Sequence, residues 1–229
     1  MPPLTLVTGG SRGLGRNTAL SIARKGGDVL ITYRSRADAA DAVIAEIEAL
    51  GRKACALQLD MSEPSRFPAF ADSVKAALQE TWNRSSLDHL VNNAGEGINV
   101  PLAEIREAQF VTLFSVHVKG PLFLTQALLP LIADGGRIVN ISSGLTRFTY
   151  PGYGAYAAAK GAVEVLTRYM AKELGPRDRV HGNAARHFRE HGRAGRGRNR
   201  FRRRGGARHA RPEPADRRDH RPRPGWPAG

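Results

Sequence analysis

Thr8-Gly9-Gly10-Ser11-Arg12-Gly13-Leu14-Gly15 follows the short apolar run Leu4 to Thr8 and opens a helical stretch from Leu14 to Lys25. Glycines at 9, 13 and 15 permit a tight turn and let backbone N–H groups approach a ligand closely at a helix N-terminus, where the dipole favours negative charge. A strand, a glycine-rich loop and a helix in that order form a cradle for a diphosphate. Thr8, Gly9, Ser11, Arg12, Gly13, Leu14 and Gly15 are therefore candidate cofactor-binding residues. The bland alternative is a turn that binds nothing.

Working outward, β-branched runs alternate with longer amphipathic segments through residue 176, the pattern of βαβ units and a parallel sheet. Strands are predicted at Leu4 to Thr8, Val29 to Tyr33, Lys53 to Leu59, His89 to Asn92 and Arg137 to Ile141. Helices are predicted at Leu14 to Lys25, Ala37 to Leu50, Pro64 to Trp82, Glu104 to Ile132 and Tyr156 to Leu174. Gly26-Gly27 and Gly51 close two of these helices, and Ser62-Glu63-Pro64 opens another. The expected fold is α/β, a Rossmann-like doubly wound parallel sheet over residues 1–176.

Later motifs carry chemistry. Tyr156 and Lys160 are four apart and share a helix face. An ammonium beside a phenol lowers the phenol's pKa from about 10, giving an acid or base that works near neutrality. Ser143, at the end of the preceding strand, can donate a hydrogen bond to the same carbonyl oxygen. Alone, a Tyr and Lys at this spacing are more often a solvated pair; the glycine loop and Ser143 favour chemistry. Tyr150 and Tyr153 have no lysine four residues later, so they either line a substrate entrance or pack.

Taken together, these residues resemble the short-chain dehydrogenase/reductase family. A Gly, three residues and Gly-x-Gly follow the first strand, Asn92-Asn93-Ala94-Gly95 follows the fourth, and Tyr156 of the Tyr-x-x-x-Lys motif stands thirteen positions after Ser143. The resemblance implies hydride transfer at a nicotinamide, with Ser143, Tyr156 and Lys160 catalytic and Lys160 also holding the nicotinamide ribose. It implies contacts to the cofactor from Asn93, Ala94 and Gly95, and from Asp60 with Met61 beside the adenine ring. Where the family has an asparagine linked through water to the lysine, this chain has His117. A histidine can also donate or accept there, or it can simply pack within its helix.

Charge argues cofactor choice. The second strand ends Tyr33-Arg34-Ser35-Arg36, where an acid would accept from a ribose and repel a 2′-phosphate. Arg34, Arg12 and Arg36 offer guanidinium groups suited to phosphate, so NADP(H) is favoured over NAD(H), with Tyr33 and Ser35 beside the site.

The chain has 229 residues and a net charge of +14, but 17 arginines against five acids lie from Arg177 onward. The body is nearly neutral. In residues 177–229 only Val180, Phe188, Phe201 and Trp226 are large and apolar, too few to offset the entropy of ordering, so a disordered basic tail is expected. The resemblance implies a sixth strand, a Pro-Gly turn, a substrate loop and a pairing strand there, and none of these is visible, so the sheet is expected to lack its usual last strands. Back-translating from Arg177 and reading one base later permits Gly-Ile, six residues and Pro-Gly, which points to a shifted reading frame. That reading implies impaired activity and low stability. It leaves two other functions open: a non-catalytic cofactor-binding remnant, or nucleic-acid binding through the arginines, which the shortage of stacking groups makes the poorer reading.

The single Cys55 excludes an internal disulfide framework and a cysteine-rich zinc module, and no metal site is expected. No leader segment or apolar run of spanning length is apparent, so a cytoplasmic protein with no membrane partner is expected. The implied partner is a small carbonyl or alcohol substrate, with a homo-oligomer if the C-terminus were intact.

Overall fold

The computed structural model describes residues 1–175 and, as backbone, 181–185. Six parallel strands form one sheet in the order β3-β2-β1-β4-β5-β6, the doubly wound arrangement whose order reverses beside β1. The elements are β1 (Leu4–Val7), α1 (Gly13–Arg24), β2 (Asp28–Tyr33), α2 (Ala37–Ala49), β3 (Ala54–Gln58), α3 (Phe67–Trp82), β4 (Leu87–Asn92), α4 (Glu107–Phe114), α5 (Gly120–Leu128), β5 (Ile132–Ile141), α6 (Gly154–Leu174) and β6 (His181–Ala185).

Apolar runs form the central strands because both faces are covered. Leu4, Leu6 and Leu30 face a layer with Phe67, Val74, Leu78, Leu124 and Leu128. Val7, Val29 and Ile31 face the other layer, with Ala19, Leu20, Val43 and Ile47. In α3 the buried residues Phe67, Phe70, Val74, Leu78 and Trp82 recur at helical spacing, and Asn83 ends the helix in the left-handed region at φ 52°. Burying each such side chain stabilises the fold by about 1.5–3 kcal/mol.

Two buried polar groups knit the layers. Asp28 accepts from Arg52 Nε at 2.9 Å, Lys53 N at 3.1 Å and Trp82 Nε1 at 3.1 Å, joining β2, the start of β3 and the end of α3. Asn92 and Asn140 are partners in the β4–β5 register, and Asn92 Nδ2 donates to Asn140 Oδ1 at 2.8 Å. Asn140 in turn donates to Thr167 Oγ1 of α6 at 2.9 Å.

Three features differ from the sequence reading. The helix expected over 104–132 is broken: α4 and α5 are joined by a wider π turn, Ser115–Lys119, in which Gly120 N donates to Ser115 O. Pro121 has no N–H for the turn before it, and the ladder widens there. The fifth strand begins at Ile132 rather than 137, because Pro130 ends the helix and the Gly135-Gly136 pair allows an irregular register. The sheet also extends beyond residue 176. Backbone of His181–Ala185 pairs in parallel with Arg137–Ile141, so the strand expected to be missing after β5 is present. Strand pairing draws on backbone groups that every residue but proline carries whole, and this segment has no proline. The remainder of the expected basic tail lies outside the described residues.

Candidate active site

The C-terminal ends of the strands carry the site, as the reversal beside β1 requires. Thr8, fully buried, accepts at Oγ1 from Asn93 N at 3.0 Å and Ala94 N at 2.9 Å, while Asn93 Nδ2 donates to Thr8 O at 2.9 Å. The glycine loop is thereby fastened to the Asn92-to-Gly95 segment. Gly9 and Gly13 adopt φ of 66° and 56°. A Cβ on Gly15 would strike the carbonyl of Gly9 and lie 2.5 Å from Asn93 Nδ2, so this close packing needs glycine. The first turn of α1 holds no acid, and its N-cap residue Arg12 makes no side-chain cap, leaving a positive helix end with Arg12 exposed beside it. Ser11 is half-buried and Leu14 is 40% exposed at the same mouth. These residues fit the diphosphate of a dinucleotide.

At the end of β2, Tyr33 is half-buried and Arg34 and Ser35 are exposed. Gln58 Nε2 donates to Arg34 O at 2.9 Å and fixes that backbone. Arg36 spends its guanidinium on Asp38 through bonds of 2.9 and 2.7 Å, which hold the Asp38 carboxyl down at about 2. Arg34 instead lies 3.6 Å from Glu96 Oε2. Asp60 Oδ1 accepts from Ser62 N at 2.8 Å and Ser62 Oγ at 2.7 Å. Burial raises the Asp60 carboxyl, but the two Ser62 bonds together with the charges of Arg34 and Arg66 outweigh it and the net shift is downward. Met61 is buried next to it, its carbonyl against Gly120.

Tyr156, Lys160 and His117 meet at the end of β5. Lys160, 5% exposed, donates from Nζ to Ile141 O at 2.8 Å and lies 5.8 Å from the centre of the Tyr156 ring. Burial pushes its ammonium down to about 8. The His117 ring stands edge-on to Tyr156 with centroids 5.2 Å apart. His117 Nε2 is 2.7 Å from Glu96 O, an atom that can only accept, so the proton sits on Nε2. Nδ1 is buried and has no hydrogen-bond partner among the described residues. Burial first, then the Lys160 charge, lowers the imidazole to about 4, so it is neutral at ordinary pH. Gly95 makes room for this ring: a Cβ there would lie 2.5 Å from His117 Cε1.

Ser143 is the second residue after β5, and its Oγ accepts from Leu145 N at 3.2 Å. Glu164, absent from the sequence reading, holds this loop: its Oε1 accepts from Ser142 Oγ at 2.6 Å and Thr146 Oγ1 at 2.9 Å. The signal was the spacing 156, 160, 164 along one helix face. Tyr150, Tyr153 and Tyr156 form a run of rings with centroids 6.2 and 6.4 Å apart, Tyr150 being 69% exposed.

The model of the short chain dehydrogenase family matches residues 3–185. The chain belongs to that family. A relative from Cladobotryum sp., the short-chain dehydrogenase/reductase FrzI, is 40% identical over 178 residues, covering 76% of this chain and 66% of its own. Among solved structures, the angucycline C-6 ketoreductase LanV with bound NADP superposes with a TM-score of 0.76 at 35% identity, covering 80% of this chain and 70% of its own. A short chain dehydrogenase from Burkholderia cenocepacia in complex with NADP gives 0.73 at 39% identity, with coverage of 80% and 72%. The chain spans about two thirds of the length of the curated relatives it matches. Among the described residues of this short-chain dehydrogenase, no helix is long and apolar enough to cross a membrane, and no group of three or more His, Cys, Asp or Glu could hold a metal ion.

Proposed function

We propose that the chain is an NADP(H)-dependent carbonyl reductase or alcohol dehydrogenase in which Tyr156 is the acid and base. The observation that carries this reading is the meeting of Tyr156, buried Lys160 and neutral His117 at the end of β5, on the same sheet end as the glycine loop. In reduction Tyr156 gives its phenolic proton to the substrate oxygen, and in oxidation it takes that proton back. Ser143 donates a hydrogen bond to the same oxygen, and Glu164 keeps the Ser143 loop in place. Lys160 sets a positive charge beside the phenol and holds the nicotinamide ribose. His117, its Nε2 proton committed to Glu96, offers Nδ1 as an acceptor for a relayed proton, the place the family gives to asparagine. When bound, the nicotinamide supplies or receives the hydride.

The residues that would hold the cofactor are Thr8, Gly9, Ser11, Arg12, Gly13, Leu14 and Gly15 at the diphosphate, and Tyr33, Arg34 and Ser35 at the adenosine ribose. Asp60 and Met61 would flank the adenine, and Asn93, Ala94 and Gly95 the adjoining ribose. Preference for NADP(H) is supported by Arg12 and Arg34 and by the NADP bound in two structural neighbours.

The test compares the protein with its Tyr156→Phe variant, following NADPH oxidation over a panel of ketones and NADPH binding by fluorescence. The variant should bind NADPH unchanged and lose turnover by about 10²-fold or more. Equal turnover would overturn the assignment.

A further inference from the structure

In the sheet, β2 and β4 lie on either side of β1, and β1 leads directly into the glycine loop. Arg34 is the first residue after β2, and Glu96 is the fourth after β4. The contact of Arg34 Nη1 with Glu96 Oε2 at 3.6 Å therefore crosses above the end of β1, bridging two strands that stand about 10 Å apart. That crevice is where a dinucleotide lies in this strand order. The backbone beneath the bridge is fixed at both ends: Gln58 holds Arg34 O, and His117 Nε2 donates to Glu96 O. The two side chains that make the contact are 59% and 34% exposed.

We infer that Glu96 is an internal competitor for the cofactor's 2′-phosphate, occupying the guanidinium of Arg34 until the phosphate displaces it, and so sets how strongly the protein prefers NADP(H) over NAD(H). This rests on the reading of Arg34 as the phosphate-binding residue. A phosphate dianion brings more charge to a guanidinium than a carboxylate does, yet it must first break the existing pair and then tolerate a carboxylate nearby. NAD(H), lacking the phosphate, gains nothing from Arg34 and loses nothing to Glu96. An exposed ion pair is worth a factor of about 1.4 to 5 in an equilibrium constant, and residual repulsion of the phosphate adds to it.

The experiment measures NADPH and NADH dissociation constants by fluorescence for the full chain, Glu96→Gln, Glu96→Ala, Arg34→Gln and the Arg34→Gln/Glu96→Gln double variant. Both Glu96 variants should bind NADPH about two- to fivefold more tightly, with NADH binding unchanged. Arg34→Gln should weaken NADPH selectively, and in that background Glu96→Gln should give no gain. If Arg34→Gln weakens NADPH but neither Glu96 variant tightens it, or if the gain persists without Arg34, the competitor role is wrong while the phosphate reading stands. If Arg34→Gln leaves the ratio of the two dissociation constants unchanged, the phosphate reading itself falls, and this inference with it. Unchanged melting temperatures for at least one Glu96 variant assign any change to binding.

Discussion

Replacing Lys160 by methionine is expected to stabilise the protein at neutral pH while removing a group that the proposed reaction uses. The lysine is 5% exposed, and burial lowers its ammonium from 10.5 to about 8. Between those values the unfolded chain holds a proton that the folded chain has released, so folding becomes more favourable as pH rises from 8 to 10.5. Below 8 the folded protein carries the whole cost of the buried charge. A fall from 10.5 to about 8 corresponds to roughly 3 kcal/mol at 1.36 kcal/mol per pKa unit. Methionine fills the same space without a charge but leaves the Ile141 carbonyl without its 2.8 Å donor, a loss of about 1 kcal/mol. The net expectation is a gain of about 2 kcal/mol at pH 7 that shrinks above pH 8 and reverses by pH 10.5. Urea unfolding of both proteins at a series of pH values measures it. A variant no more stable than the parent at pH 7, or a difference flat across pH 8 to 10.5, would refute the reasoning.

Gly95→Ala should destabilise by about 1–3 kcal/mol, because the new methyl meets a His117 ring held by Glu96, and His117→Asn in the same chain should recover most of that loss in a double-mutant cycle. Asp28→Ala should cost about 3–5 kcal/mol in denaturant unfolding, since it strands Arg52 and Trp82 Nε1 at a site where Asp28 is 4% exposed. Glu164→Ala releases Ser142 and Thr146; kcat should fall about tenfold while NADPH affinity measured by fluorescence stays unchanged, and a change in affinity alone would contradict its positioning role.

What could be read in advance was local. The glycine loop states its conformation in three glycines, and Tyr156 and Lys160 share a face by helical arithmetic. Alternation of apolar strands with amphipathic helices announces a parallel sheet. The π turn at Ser115–Lys119 was hidden because a window of helical periodicity averages over one widened turn, although Pro121 marked the cause. β6 was missed because His181–Ala185 has no apolar signature; its pairing is a matter of backbone meeting an open edge. Glu96 and Glu164 were passed over because their partners, Arg34 and Ser142, lie 62 and 22 residues away in the chain, and no short motif joins them. Arg36 was a candidate for phosphate from its place just past the second strand, and only the fold shows it turned toward Asp38.

The paired amides of Asn92 and Asn140 bear on how this sheet is assembled. β5 enters with a break in its alignment to β4, between Leu87 and His89, so the early pairing of Leu87 with Ile132 does not carry its register into the rest of the strand. A slip of one residue would turn Asn140 toward the opposite side of the sheet, parting it from Asn92 and from Thr167 together. The two amides thus act as a key that fits only one alignment. That alignment in turn decides which carbonyl at the strand's end awaits Lys160.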